Sequence, residues 1–316
     1  MITSHWILGP GAIGRLLAHS LAPLANLCVV SRRPLPIQQI LTTPEGEQKV
    51  QRLDIFTVEK LAEQAPVAPD AVHITTKAMT AEAALASLAE NQPSSLPSTT
   101  PLVLWQNGFL AQPRITRAWA GPVLCATTTQ GAYLTGDDNV VHAGRGPTFI
   151  GDLNNRHGAL ATLLAQQLTQ AGFETTAVAD IHQRLWQKLA VNAAINPLVA
   201  LHGIRNGELR NASYQGQVNA VIKEVAAIMQ AKGIQLPGGG QGETGWLRLV
   251  WQVVENTAGN KASMLQDLEA GRPTERKAIL GPLMQSGAQH GLTCKNLEQL
   301  DDQLASEEGA IHQRRL

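Results

Sequence analysis

Short apolar runs alternate with stretches of helical period through the first half of the chain. Trp6-Ile7-Leu8 leads into GPGAIG, after which GRLLAHSLA carries its apolar residues at helical spacing. Leu27–Val30, Ala71–Thr75 and Leu102–Trp105 are further strand-like runs, the last following NQPSSLPSTTP, a Pro- and Ser-rich surface connection. This alternation predicts a doubly wound parallel sheet. VLCATTTQGAYL, NVVHAG and PTFIG read as shorter strands between Gly and Asp turns, expected to extend the sheet in antiparallel fashion. Past Ile181 the strand pattern gives way to helical segments at 181–201, 211–232, 244–271 and 273–290, with LPGGGQG as a flexible loop between two of them. That loop is no phosphate cradle, because no strand precedes it. The change of character near 178–181 predicts two domains, 1–179 and 180–316. The polar tail after Asp302 is expected to fray.

One helix breaks its own pattern. In WQKLAVNAAINPLVALHGIRNGELR, running from Trp186 to Arg210, Lys188, Asn192 and Asn196 recur every fourth residue. Each step of four advances about 40° around a helix, so the three share one stripe. Leu189, Ala190, Val191, Ala193, Ala194, Ile195 and Leu198 surround them. A buried amine is costly unless paired, and buried amides need partners for both O and NH2. The stripe therefore reads either as the lining of a polar ligand site or as a closed internal hydrogen-bond network.

Composition narrows the classes. At 316 residues the chain suits two domains, and 44% hydrophobic with 16% charged residues describes a globular protein. Lys+Arg and Asp+Glu balance at 25 each, so no overall field favours nucleic acid or an anionic membrane. Cys28, Cys125 and Cys294 are odd in number and far apart, as expected of reduced, mostly buried thiols. No apolar run approaches the roughly 18 residues of a membrane span, and MITSHWILG lacks a basic leader, so a cytoplasmic protein is expected. His5, His73, His142, His182 and His202 form no ligand-spaced cluster, and no metal is implied.

Gly9-Pro10-Gly11-Ala12-Ile13-Gly14 matches GxGxxG in the context its chemistry needs: a strand ending at Leu8, a tight turn, and a helix expected to open at the third glycine. The acid that would hold a ribose 2′-hydroxyl after the second strand is missing, with no Asp or Glu between Arg15 and Pro44. That strand ends instead in Ser31-Arg32-Arg33, whose guanidinium groups suit a 2′-phosphate, so NADP(H) is expected over NAD(H). Lys77 and Asn107 follow the AVHIT and LVLW strands, at the carboxyl ends where open sheets bind ligands.

These residues resemble the ketopantoate reductases (2-dehydropantoate 2-reductases) over nearly the whole chain. The likeness rests on the N-terminal GxGxxG with Arg after the second strand, K-A, Q-N-G, T-T-T-Q-G-A, W-Q-K-L-A-V-N-A-A-I-N-P-L, N-G-E-L-R, S-M-L-Q-D and G-R-P-T-E. It implies a Rossmann-type domain followed by a helical domain like that of 6-phosphogluconate dehydrogenase, with the active site in the cleft between them. It also implies NADPH-dependent reduction of a 2-oxo acid in pantothenate synthesis, with Lys188 as general acid. By the same resemblance Asn107, Asn192, Asn196 and Asn206 would line the substrate pocket and Ser263 would hold the substrate carboxylate end. Glu275 would contact ligand near the nicotinamide ribose or the substrate. Gly9 to Gly14, Lys77, Asn107 and Ala132 would contact cofactor.

The chain departs from that pattern at Phe109-Leu110 after Asn107-Gly108, at Arg276-Lys277 where Ile-Asp is usual, and in a longer Gly238–Gly240 loop. On residues alone, Ser263 also fits a helix N-cap and Glu275 an acid in a first helical turn. Related readings are a reductase of another 2-oxo acid and a non-catalytic NADP(H) sensor. The substrate is a small molecule, and monomer and homodimer are both compatible with the pattern.

Overall fold

The computed structural model describes residues 2–64, 66–92, 96–240 and 242–313. The chain forms two compact units: residues 1–106 with 111–181, and residues 107–110 with 182–316. The first holds β1 (Ser4–Leu8), α1 (Ala12–Leu21), β2 (Asn26–Ser31), β3 (Gln38–Thr42), β4 (Gln48–Arg52), β5 (Ile55–Thr57), α2 (Val58–Gln64), β6 (Ala71–Ile74), α3 (Ala81–Asn91) and β7 (Leu102–Leu104). It continues with α4 (Ala111–Ala118), β8 (Val123–Thr128), β9 (Gly131–Leu134), β10 (Asn139–Gly144), β11 (Thr148–Gly151), α5 (Gly158–Gln170) and β12 (Thr175–Ala177).

The main sheet runs β12-β11-β8-β7-β6-β1-β2-β5. Its central strands β1, β6, β7 and β8 are buried along their whole length, with Trp6, Ile7, Val72, Val103 and Leu124 in the core, as expected for strands covered on both faces. Of the strands expected to extend the sheet in antiparallel fashion, only β11 does so, against β8, while β8 itself runs parallel to β7. β9 and β10 leave the main sheet altogether. They form a second, four-stranded sheet, β4-β3-β10-β9, that packs against α1. The cause is a remote partner: β10 pairs in parallel with β3, Asn139 opposite Ile40 and Val141 opposite Thr42. Local periodicity carries no information about such a pairing.

The second unit is helical: α6 (Ile181–His202), α7 (Ala212–Ala231), α8 (Glu243–Asn256), α9 (Ser263–Glu269), α10 (Arg276–Gln289) and α11 (Lys295–Gln313). The helix predicted over 244–271 is broken at 257–262, because Ala258 and Asn260 give their carbonyls to the Gly207 and Asn206 amides at 3.0 Å each. The tail does not fray within the described residues. Leu297, Leu300 and Leu304 bury one face of α11, each contributing about 1.5–3 kcal/mol. Glu224 accepts from the Asn296 and Leu297 amides at 2.9 and 3.0 Å, capping the helix N-terminus. Leu236 and Gly240 close the 236–240 turn with a 3.0 Å hydrogen bond, and Gly238 to Gly240 all take positive φ.

A histidine pair lies in the core of the first unit. The Trp105 indole donates to His73 Nδ1 at 3.2 Å, so neutral His73 carries its proton on Nε2, 3.1 Å from His5 Nδ1. That leaves a proton on His5 Nε2, a buried atom with no partner among the described residues. Burial lowers His5 to about 4 and His19 likewise to about 4. In the unfolded chain these imidazoles charge near pH 6.5, whereas in the fold they stay neutral until about 4. The unfolded state therefore binds more protons in that window, and stability falls as pH falls. Thermal melts from pH 7 to 4 are expected to show Tm dropping below pH 6.5, with each group withdrawing about 3 kcal/mol by pH 4. His5→Asn should flatten the slope; an unchanged slope would show that the pair does not set acid stability.

Candidate active site

In the first unit the glycine-rich turn is shaped by steric necessity. Gly9 has φ +102°, and a Cβ there would lie 2.6 Å from Thr76 Cγ2. A Cβ on Gly14 would lie 2.3 Å from the Gly9 carbonyl oxygen, so only glycine lets α1 pack this closely on the turn. The helix opens at Ala12 with Gly11 as its N-cap, two residues before Gly14, where it was expected to begin. Gly11 offers no side-chain cap, and the first-turn amides after Pro10, those of Ala12, Ile13 and Gly14, have no intrahelical acceptor. A cradle that any Cβ would fill, beside unspent helix amides, fits a dinucleotide pyrophosphate.

Around this turn the remaining cofactor candidates are dispersed. Lys77 caps a single 3₁₀ turn at 78–80 after β6, its carbonyl accepting from Thr80. Ala132 sits in β9, in the second sheet. Arg32 is exposed after β2. Arg33 is bound through both guanidinium branches by Asp137, the Nη1 contact measuring 2.7 Å.

In the second unit, α6 carries the stripe. Lys188, Asn192 and Asn196 are partly buried while Leu189, Ala190, Ala193, Ala194 and Ile195 are buried, so the stripe lies on the partly accessible side of the helix, beside Gln187 and Val191. The side chains of Asn192 and Asn196 have no hydrogen-bond partner among the described residues. A closed internal network would have paired them; their amides are available to a ligand. Burial pushes the Lys188 ammonium down to about 8, against Glu275, whose charge raises it.

Glu275 is buried at the N-cap of α10 without capping it through its side chain. Its Oε2 accepts from Asn107 Nδ2 at 3.1 Å. Asn107 is placed by its neighbours: Gly108 takes φ +79°, and the Phe109 amide donates to the Ala278 carbonyl at 3.1 Å. A Cβ at Gly108 would lie 2.1 Å from that carbonyl oxygen. Phe109 packs edge-on to His182 and against Trp186. The structure thus brings Asn107, Lys188 and Glu275 together within the second unit.

The unusual Arg276 proves to be an anchor. It donates to Asp301 at 2.6 Å and to Glu308 at 3.0 Å on α11, and Glu308 also accepts from the Thr274 amide at 2.8 Å. Against burial, the hydrogen bonds from Thr274 and the Arg276 charge hold Glu308 below the usual carboxylate range. The residues on both sides of Glu275 are therefore tied to α11. In the sequence only the arginine directly after Glu275 hinted at this.

Asn206 is buried at the start of a 3₁₀ turn, Nδ2 donating to Thr257 Oγ1 at 2.9 Å and Oδ1 without a partner among the described residues. Ser263 is exposed as the first residue of α9; the N-cap is Ala262, so the capping explanation for the serine does not apply. No helix among the described residues is long and apolar enough to cross a membrane.

Two family profiles match: ketopantoate reductase PanE/ApbA over residues 6–155 and its C-terminal domain over 180–307. The chain is 36% identical over 289 residues to a 2-dehydropantoate 2-reductase of Vibrio cholerae, covering 90% of this chain and 91% of that one. Among solved structures, D-mandelate dehydrogenase with NADH and anilino(oxo)acetate superposes with a TM-score of 0.84 at 20% identity, covering 98% of this chain and 100% of that one. A PanE/ApbA family ketopantoate reductase from Ralstonia eutropha gives 0.83 at 21% identity, with 98% and 100% covered. With both halves matched and a relative above 30% identity along nine-tenths of its length, the chain belongs to the ketopantoate reductase family of nicotinamide-dependent oxidoreductases.

Proposed function

We propose that the protein reduces 2-dehydropantoate to pantoate with NADPH, in pantothenate biosynthesis, and that Lys188 donates the proton to the ketone oxygen. The observation that carries this reading is the half-enclosed Lys188 in line with two unpartnered asparagine amides and beside Glu275. The Vibrio relative's activity and the matched family profiles support the substrate.

Reduction of a ketone builds negative charge on its oxygen, and a positioned ammonium stabilises that charge and then supplies the proton. The reduced nicotinamide supplies the hydride. Gly9 to Gly14 and Lys77 would hold the dinucleotide, and Arg32 or Arg33 its 2′-phosphate. With a pKa near 8, Lys188 is charged at neutral pH yet acidic enough to give the proton up. Glu275 keeps that ammonium charged. Asn107 is held ready by Glu275, while Asn192, Asn196 and Asn206 offer amides to the substrate's hydroxyl and carboxylate without changing protonation. Ser263 serves the carboxylate end.

Lys188→Ala is expected to lower kcat by about 10²-fold or more, with the Kd for NADPH little changed; near-normal kcat in that variant would remove Lys188 from the mechanism. A second consequence concerns pH. The acid form of Lys188 is required, so kcat/KM for reduction should fall above about pH 8, about tenfold per unit. Since Glu275 raises the Lys188 pKa, Glu275→Gln should move that break to lower pH. A break that stays in place would mean that the two groups are uncoupled, and one that moves upward would mean that Glu275 does not favour the ammonium.

A further inference from the structure

The second sheet brings an acid to the place where the sequence lacks one. After β2 an NAD-binding fold ordinarily carries a carboxylate for the ribose 2′-hydroxyl, and an NADP-binding one an arginine for the 2′-phosphate. Here Arg32 and Arg33 follow the strand, and Asp137, in the turn between β9 and β10, grips Arg33 through both carboxylate oxygens. The turn is built. Arg15, buried in the first turn of α1, donates to the carbonyls of Pro10 at 2.9 Å and Gly136 at 3.1 Å. Gln39 Nε2 donates to the Asp137 carbonyl at 3.2 Å, and the Ile40 amide to that of Asp138 at 2.7 Å. These bonds use backbone carbonyls, so the position of the turn does not depend on the Asp137 side chain. The Asp137 and Arg33 side chains are left more than half exposed.

We infer that Asp137 is a specificity-determining residue for the dinucleotide: it competes with a 2′-phosphate for Arg33 and offers a carboxylate to a 2′-hydroxyl, so that the protein accepts both NADP(H) and NAD(H). This rests on reading the glycine-rich turn as the dinucleotide site. A phosphate approaching Arg33 meets the Asp137 charge and must share or displace it, whereas a ribose hydroxyl can donate to that carboxylate with Arg33 still paired. The missing acid after β2 is thereby replaced by one 104 residues away from Arg33.

The test is equilibrium binding, independent of turnover. Calorimetric titrations with NADP⁺, NAD⁺ and the fragments adenosine 2′,5′-bisphosphate and adenosine 5′-monophosphate would be compared for wild type, D137N and R33Q. Both dinucleotides should bind wild type. In D137N the NADP⁺ Kd should fall about three- to tenfold while the NAD⁺ Kd rises, a change on the scale of one partly exposed charge contact. Among the fragments, only the bisphosphate should tighten. In R33Q the NADP⁺ Kd should rise about tenfold with NAD⁺ little affected. Weaker NADP⁺ binding in D137N would make Asp137 a mere anchor for Arg33, and an unaltered NADP⁺ to NAD⁺ ratio would remove it from selection. Either result overturns the inference and leaves the dinucleotide site standing. Failure of wild type to bind either dinucleotide would overturn the site reading as well.

Discussion

An ammonium enclosed in an apolar helix must find a countercharge, and in the helical unit this demand governs the surroundings of Lys188. Burial lowers its proton affinity while Glu275 restores part of it, and the balance lands near 8. Glu275 in turn is buried, and a buried carboxylate needs its own support. It receives an Asn107 amide, and the backbone on either side of it is fixed through Thr274 and Arg276 to Glu308 and Asp301. The chain of dependence runs from α11, through the N-terminus of α10, to the lysine.

The same logic explains why four residues that follow a sheet strand belong with the helical unit. Asn107 must reach Glu275, and the route is enforced by a left-handed Gly108 whose Cβ would strike the Ala278 carbonyl. Phe109 then packs against His182 and Trp186. In the other unit, close approach is again the constraint. Gly9 and Gly14 let the first helix seat against the turn, and Arg15 ties that helix to the β9–β10 turn that carries Asp137.

Much of this was legible in the residues. The strands at Trp6, Leu27, Ala71 and Leu102 and the helix through Lys188 follow from local period, which is set by backbone geometry and needs no knowledge of neighbours. The partly accessible stripe of Lys188, Asn192 and Asn196 follows from the same arithmetic. What local period could not supply were partners. The second sheet depends on β10 meeting β3, the break at 257–262 on the Asn206 and Gly207 amides, and the order of α11 on three leucines finding a core. A polar composition predicted fraying there because composition counts residues without regard to which face they occupy.

The sequence by itself determined the alternation of elements, the glycines of the nucleotide turn and the polar stripe, because each is a property of residues a few positions apart. Only the tertiary structure decided which polar and charged groups meet. Asn107 and Glu275 are 168 residues apart, and Arg33 and Asp137 are 104 apart. Electrostatic and hydrogen-bond energies depend on distance in space, which chain separation does not fix until packing has chosen a fold.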